Sequence, residues 1–168
     1  TSRFRLDPIV EPTMLMGYAE LQQVLAEAVV RGWIQGDARQ YYENGVKASF
    51  SFYETYATDY SQYVTQDSAA SYLNRPLVRL DDTLTDEQKI ERIIFQKYCV
   101  SFYQGGWDPY FENLRTGYPG FMHLEENPIP YRWMYPDTEY RYTRWAPPPF
   151  LQSQKESFAD LPAAEQQG

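Results

Sequence analysis

The sequence predicts an all-α fold, in which a helical hairpin and further helices are covered by a long irregular strap. Apolar residues recur at steps of three and four between residues 13 and 60, the spacing of helices with one apolar side. Helix-capping signals precede several of these runs. From Tyr118 onward the periodicity stops, and 8 of the 12 prolines lie there together with many aromatic residues. Proline blocks regular helix, so residues 118–168 are expected to form the strap.

The first predicted helix runs from Thr13, as its N-cap, to about Arg31, and Gly32 is expected to end it in the left-handed conformation. Asp37 opens the second helix as a variant capping box. Two antiparallel helices joined by a short turn make residues 13–60 a tetratricopeptide-like hairpin, which cannot cover its own apolar side and should pack on other helices. The predicted apolar side of the first helix consists of Met14, Tyr18, Leu21, Leu25, Ala28 and Val29.

The second helix carries a stripe of mostly aromatic residues at steps of three and four. Such a stripe usually faces a neighbouring helix, so core packing is favoured over ligand stacking. Its members are Tyr42, Val46, Phe50, Tyr53, Tyr56 and Tyr60.

Three shorter elements are expected to follow the hairpin. Asp67 is predicted to cap a short helix over residues 68–73, after which residues 77–84 form a loop. Residues 85–117 then form a helix pair, whose first member opens with the Thr85 capping box and ends at Gly105-Gly106.

The second member of this pair begins at Asp108-Pro109, a cap followed by proline in the first helical position. Gly117 and Pro119 are expected to end it.

Charge and composition exclude several classes of function. The chain has 15 basic and 23 acidic residues, for a formal charge of −8, and therefore lacks the basic surface of a nucleic-acid-binding protein. Cys99 and His123 are the single cysteine and histidine, so thiolate and two-histidine metal sites are excluded, and we expect neither a metal nor a cofactor. No apolar run approaches the length that crosses a bilayer.

Catalytic candidates are few. His123 lies among apolar neighbours, where a histidine is more often packed than catalytic. The acidic pairs Asp81-Asp82 and Glu125-Glu126 could serve a glycoside hydrolase, but adjacent acids in loops are usually only solvated. We therefore expect no enzymatic activity and keep the hydrolase as the least favoured alternative.

Ligand binding is the better-supported expectation. Tryptophan and tyrosine in loops present flat apolar faces with polar tips, which suit stacking against sugar rings. An acidic, aromatic-rich surface fits neutral glycans, while a helical scaffold that binds another protein remains an alternative. For any single one of these residues, pinning the strap to the core is favoured over ligand contact. The candidates are Trp107, Tyr110, Tyr131, Trp133 and Trp145.

Two late segments carry recognisable motifs. Residues 96–119 contain Gln96-Lys97, followed by the run WDPYFENLRTGYP, and residues 130–140 read PYRWMYPDTEY. This order resembles the C-terminal part of the SusD/RagB family of nutrient-binding outer-membrane lipoproteins of Bacteroidetes. The family usually has tryptophan where Tyr110 stands and a second arginine where Leu114 stands.

The resemblance implies that residues 1–168 are the C-terminal portion of one SusD-like domain. It further implies a non-catalytic protein at the cell surface, held to the outer membrane only through a lipid anchor upstream of this chain. Such a protein would lie over a SusC-like TonB-dependent transporter and deliver an oligosaccharide, or in some members a peptide.

The motif residues themselves are expected to hold the fold together and not to contact ligand. Arg115 lies in the last turn of a helix, where a cation suits the exposed carbonyls, and Arg132 could pair with Glu139. The full set is Arg115, Gly117, Tyr118, Pro119, Arg132, Tyr135, Pro136 and Glu139.

Overall fold

The described part of the chain is helical throughout. The computed structural model describes residues 12, 14–57, 61–102, 104–122 and 129. These residues contain a short 3-10 helix, Ser61–Tyr63, and no strand, which confirms the all-α prediction. Their α-helices are α1 (Tyr18–Val30), α2 (Ala38–Tyr56), α3 (Gln66–Leu73), α4 (Asp86–Ser101) and α5 (Asp108–Thr116). Most of the predicted strap lies outside the described residues.

The chain divides into two compact units, residues 1–112 and residues 113–168. In the first unit, α1 packs against both α2 and α4, and α2 packs against α3. The second unit contributes the last turn of α5 and the residues that follow it.

The turn between α1 and α2 follows the local signals in the sequence. Gly32 has a φ of +72°, its N–H donates to the Val29 carbonyl at 2.9 Å, and the Trp33 N–H donates to the Ala28 carbonyl at 2.9 Å. These two bonds satisfy carbonyls at the end of α1 in a Schellman motif, as the predicted left-handed glycine requires. Asp37 Oδ1 accepts from the Gln40 N–H at 3.1 Å, confirming it as the cap of α2.

Two helix starts differ from the prediction. The first helix begins at Tyr18 with Gly17 as its N-cap, and the predicted cap Thr13 lies outside the described residues. The cap of α3 is Thr65, whose hydroxyl accepts from the Ser68 N–H at 3.2 Å. Asp67 lies instead within the first turn of α3, where a negative charge suits the amide end of the helix.

The hydrophobic core lies between α1, α2, α3, α4 and the loop after α3. Tyr42 is fully buried, its hydroxyl donates to the Val78 carbonyl at 2.7 Å, and burial raises the pKa of its phenol. Phe50 packs against Tyr72 with ring centroids 5.7 Å apart. The core interpretation of the aromatic stripe is therefore confirmed for its first three members, Tyr42, Val46 and Phe50. The buried residues of this core are Ala26, Tyr42, Val46, Leu73, Val78, Leu80 and Ile93.

The side of α1 that faces inward is not the predicted one. Tyr18, Leu21 and Val24 are 61%, 42% and 39% exposed, although all three are apolar or aromatic. The side that packs on α2 and α4 is instead small or polar: Ala19, Gln22, Gln23, Ala26 and Glu27 are buried. Periodicity identified the apolar side correctly but could not show that neighbouring helices use the opposite one.

Close packing explains why small and polar residues face inward. A Cβ atom on Gly45 of α2 would lie 3.0 Å from the Ala19 carbonyl and 2.3 Å from Gln23 Nε2, so the two helices approach too closely for a larger side chain. Gln23 Nε2 donates to the Tyr42 carbonyl at 3.2 Å. The Oε1 atoms of Gln22 and Gln23 are buried and have no hydrogen-bond partner in the described residues.

The predicted helix pair is present with small shifts at its ends. The capping box that opens α4 is reciprocal: the Gln88 N–H donates to Thr85 Oγ1 at 3.2 Å, and the Thr85 N–H donates to Gln88 Oε1 at 3.0 Å. The helix ends at Ser101, before the predicted Gly105. Within the part described, no helix has the length and apolar character needed to cross a bilayer.

Candidate functional site

The second helix continues beyond the start of its hairpin partner. Gly45 lies level with Ala19, one residue after the first position of α1, and α2 then continues to Tyr56, about three more turns. The last turns of α2 therefore have no helical partner in α1. Instead they face the segment that leads into α1, which includes Met14.

A cavity of about 310 Å³ occupies this end of the hairpin. Its aromatic wall comes from the last turns of α2: Phe52 and Tyr56 lie with ring centroids 4.8 Å apart, and Phe52 and Tyr53 meet edge to face at 5.3 Å. The cavity volume of about 310 Å³ lies at the low end of the size range of small-ligand pockets. The remaining wall residues include Met14, Tyr18, Ala48, Ser49, Ser51, Thr55 and Val100.

A second cavity, of about 280 Å³, shares Met14 and Val100 with the first. Its other walls come from Glu20 on α1, the end of α4 and the turn 104–108 before α5. We call the two cavities and this turn the hairpin-end site. The predicted ligand residue Trp107 belongs to that turn and is 59% exposed.

Trp107 and Tyr110 are brought together, but only one of them has an accessible face. Their rings meet edge to face with centroids 6.5 Å apart. Tyr110 is 8% exposed, and burial raises the pKa of its phenol. Trp107 is therefore a suitable stacking surface, and Tyr110 supports it from the protein side. The candidates Tyr131, Trp133 and Trp145 lie outside the described residues.

An ion-pair network lies beside the second cavity. Lys97 Nζ is 2.5 Å from Glu112 Oε1 and 4.0 Å from Glu20 Oε1, and the lysine side chain is 15% exposed. Lys97 thus balances an acidic residue of the cavity wall and a residue of α5. Next to it, Gln96 Nε2 donates to the Tyr72 hydroxyl at 3.0 Å. The Gln-Lys motif is used for internal contacts.

The Arg-Thr-Gly-Tyr-Pro motif forms the end of α5. Gly117 has a φ of +78°, as predicted, and its N–H donates to the Asn113 carbonyl at 2.7 Å. Asn113 Nδ2 donates to the Pro119 carbonyl at 2.8 Å, and the Tyr118 N–H donates to Thr116 Oγ1 at 3.1 Å. Arg115 is in the last turn of α5. The other predicted motif residues, Arg132, Tyr135, Pro136 and Glu139, lie outside the described residues.

The described residues offer little for catalysis. They contain no group of three or more histidine, cysteine or acidic side chains placed to hold a metal ion. Bonds from the Thr83 hydroxyl and backbone, together with Arg79, lower the pKa of Asp81, which opposes a role as a proton-donating acid. Burial raises the pKa of the Cys99 thiol, which makes it a poor nucleophile. His123 and the pair Glu125-Glu126 lie outside the described residues.

None of the four aromatic residues that line the first cavity is among the predicted ligand residues, and Tyr53 and Tyr56 belong to the stripe predicted to pack in the core. Tyr18 was assigned to the buried side of α1, and Phe52 falls between the positions of the predicted stripe. No signal in the sequence marks either residue, because the cavity depends on the unequal extents of α1 and α2.

Comparison with known proteins gives a consistent family match. A family model named SusD-like_2, described as starch-binding and associating with the outer membrane, matches residues 1–136. The comparison with curated proteins found no match.

Several solved structures are similar over most of the chain. A SusD homologue from Bacteroides fragilis NCTC 9343 is 62% identical over 81% of the chain, with a TM-score of 0.76. A protein of Bacteroides vulgatus ATCC 8482, described by inference as an outer membrane protein involved in nutrient binding, is 56% identical over 78% of the chain, with a TM-score of 0.74. A second SusD homologue from B. fragilis is 35% identical over 88% of the chain, with a TM-score of 0.67. The chain spans about three tenths of the length of these structures.

Proposed function

The chain belongs to the SusD-like family of outer-membrane-associated proteins, and from this membership we propose that it is part of a non-catalytic, glycan-binding nutrient-uptake protein. The observation that carries the proposal is the family match over residues 1–136, together with relatives that are 56% and 62% identical over about four fifths of the chain. The family is described as starch-binding, and the relative from Bacteroides vulgatus as involved in nutrient binding.

We assign glycan contact within this chain to the hairpin-end site. Sugar rings present apolar faces with a rim of hydroxyls, and aromatic side chains bind those faces by stacking. Trp107 offers an exposed ring in the turn whose residues Gly106 and Asp108 line the second cavity, and the α2 aromatics line the first. The acidic net charge of −8 suits a neutral oligosaccharide better than an anionic one.

Delivery to a SusC-like TonB-dependent transporter is the further part of the proposal. In it, residues 1–168 form the C-terminal portion of a SusD-like domain held at the cell surface by an upstream lipid anchor. The ligand would be an oligosaccharide, with peptides as the second ligand class.

The glycan proposal is tested by calorimetry on the native polypeptide. We expect binding of maltooligosaccharides, as the family description suggests, or of another neutral glycan from a panel. Trp107→Ala should weaken binding at least tenfold, about 1.4 kcal/mol. The matched control is Trp33→Ala, because Trp33 is 69% exposed but lies at the other end of α1, where Arg31 stacks on it at 5.4 Å.

Three results would count against the proposal. Equal loss of affinity in the Trp33 and Trp107 variants would contradict the assignment of glycan contact to the hairpin-end site. Absence of binding to every glycan in the panel would favour a protein-binding scaffold. Hydrolysis of a bound oligosaccharide would contradict the non-catalytic assignment.

A further inference from the structure

The outward side of α1 is apolar along its whole length. On an ideal helix Tyr18, Leu21, Val24, Leu25 and Ala28 fall within an arc of about 120°, and we call these five residues the outer stripe. No charged residue lies in this arc. The three most exposed members are 39–61% exposed, and Leu15 and Met16, just before the helix, are 94% and 72% exposed.

The usual arrangement of a surface helix is the reverse. Its apolar side faces the core, and charged or polar residues face water. In α1 the polar residues Gln22, Gln23 and Glu27 are buried against α2 and α4, while Leu21 and Val24 face outward. A helix with one side buried and an apolar opposite side is normally covered on both sides. In the part of the chain described, the outer stripe lacks such a covering surface.

We infer that the outer stripe packs, in the complete protein, against residues of the same polypeptide that are not in this chain. The length of the relatives supports this occupant: the matched region covers 29% and 30% of the two relatives that are 56% and 62% identical to the chain. More than two thirds of each relative is therefore available to cover this side.

The size of the stripe argues against a second copy of the chain. A helix of 13 residues is about 20 Å long and about 10 Å wide, so the stripe presents roughly 200 Å². A stable dimer needs about 800 Å² on each partner. A contact within one polypeptide can be much smaller, because the chain itself keeps the two surfaces at high effective concentration.

Thiol labelling of the native polypeptide tests whether the stripe is covered. We expect cysteines at Leu21→Cys and Val24→Cys to react with a maleimide at least tenfold more slowly than the control Glu54→Cys, which is on the exposed side of α2. Site-resolved mass spectrometry reads each position separately from Cys99. Two positions are used because either variant could fail to fold. Labelling of both as fast as the control would overturn the inference.

Photo-crosslinking identifies the occupant. Replacing Leu21 by p-benzoylphenylalanine places an apolar probe within the stripe and leaves the cavity residue Tyr18 unchanged. A crosslink at unchanged polypeptide mass, to a peptide outside these 168 residues, supports the inference. A crosslink to a second copy, to another protein, to lipid or to a peptide of this chain contradicts it. None of these outcomes depends on glycan binding, so the inference and the proposed function fail separately.

Discussion

Lys97 on α4 and Glu112 on α5 form an ion pair in which Nζ lies 2.5 Å from Oε1 and each side chain is 15% exposed. The pair joins the Gln96-Lys97 motif on α4 to the run WDPYFENLRTGYP, which contains Glu112. Because both groups are largely removed from water, their pairing offsets part of the cost of burying the two charges.

We expect Lys97→Met to destabilise the protein by about 2 kcal/mol, since it removes the Lys97–Glu112 ion pair from a poorly hydrated position. Urea unfolding of the purified protein measures the change. Lys89→Met is the control on the same helix, because Lys89 is 3.7 Å from Asp86, which is 75% exposed, and such pairs contribute about 0.5 kcal/mol. Equal effects of the two substitutions would contradict the role assigned to Lys97.

Tyr42→Phe removes one hydroxyl and should destabilise the protein by about 1–2 kcal/mol. The Tyr42 hydroxyl donates to the Val78 carbonyl inside the core, and its loss leaves a buried acceptor unsatisfied. Tyr63→Phe makes the same chemical change on a residue that is 68% exposed and should be nearly neutral. Thermal unfolding of both variants provides the comparison, and a neutral Tyr42→Phe would show that this bond contributes nothing.

Gly45→Ala should cost about 1–3 kcal/mol, because the new methyl group would meet Gln23 Nε2 and the Ala19 carbonyl at distances shorter than contact allows. The substitution must displace Gln23 from its bond to Tyr42. We therefore expect the double variant with Gln23→Ala to lose less stability than the sum of the two single variants. Strict additivity in urea unfolding would mean that the two residues do not compete for space.

Asp81→Asn should lower the melting temperature at pH 7 but not in acid. Bonds from Thr83 and Arg79 hold the pKa of Asp81 below its unfolded value of about 3.9. The carboxylate therefore stabilises the fold above about pH 4, and this contribution is lost as the pH falls through the folded pKa. The difference from wild type should shrink below pH 4. Asp82→Asn is the matched control, because the Asp82 carboxylate makes no such bonds in the described structure, and an equal effect of the two substitutions at pH 7 would contradict the role assigned to Asp81.

Features set within a few residues could be predicted from the sequence. The Thr85 capping box, the Asp37 cap and the left-handed glycines at 32 and 117 all depend on short-range hydrogen bonds and backbone geometry. The cap of α3 was assigned to Asp67 instead of Thr65, because both residues have side chains that can cap and are only two positions apart.

Features set by distant residues could not. The orientation of α1 depends on Gly45, 22 positions beyond Gln23, which admits a close approach that only small residues allow. The Lys97–Glu112 pair and the cavity between Tyr18 and Tyr56 likewise join residues far apart in sequence. Trp107 is predicted as a ligand residue because it lies in a loop, whereas Phe52 lies within a helix, between the positions of the predicted stripe.

Because α2 extends past α1, its first turns and its last turns are under different constraints. Its first turns contain Tyr42 and Val46, where substitution alters folding. Its last turns contain Phe52 and Tyr56, where substitution reshapes the cavity and leaves the Tyr42–Val78 bond intact. Under the proposed function, relatives can therefore diverge in what they recognise through the final turns of this helix while inheriting the scaffold unchanged.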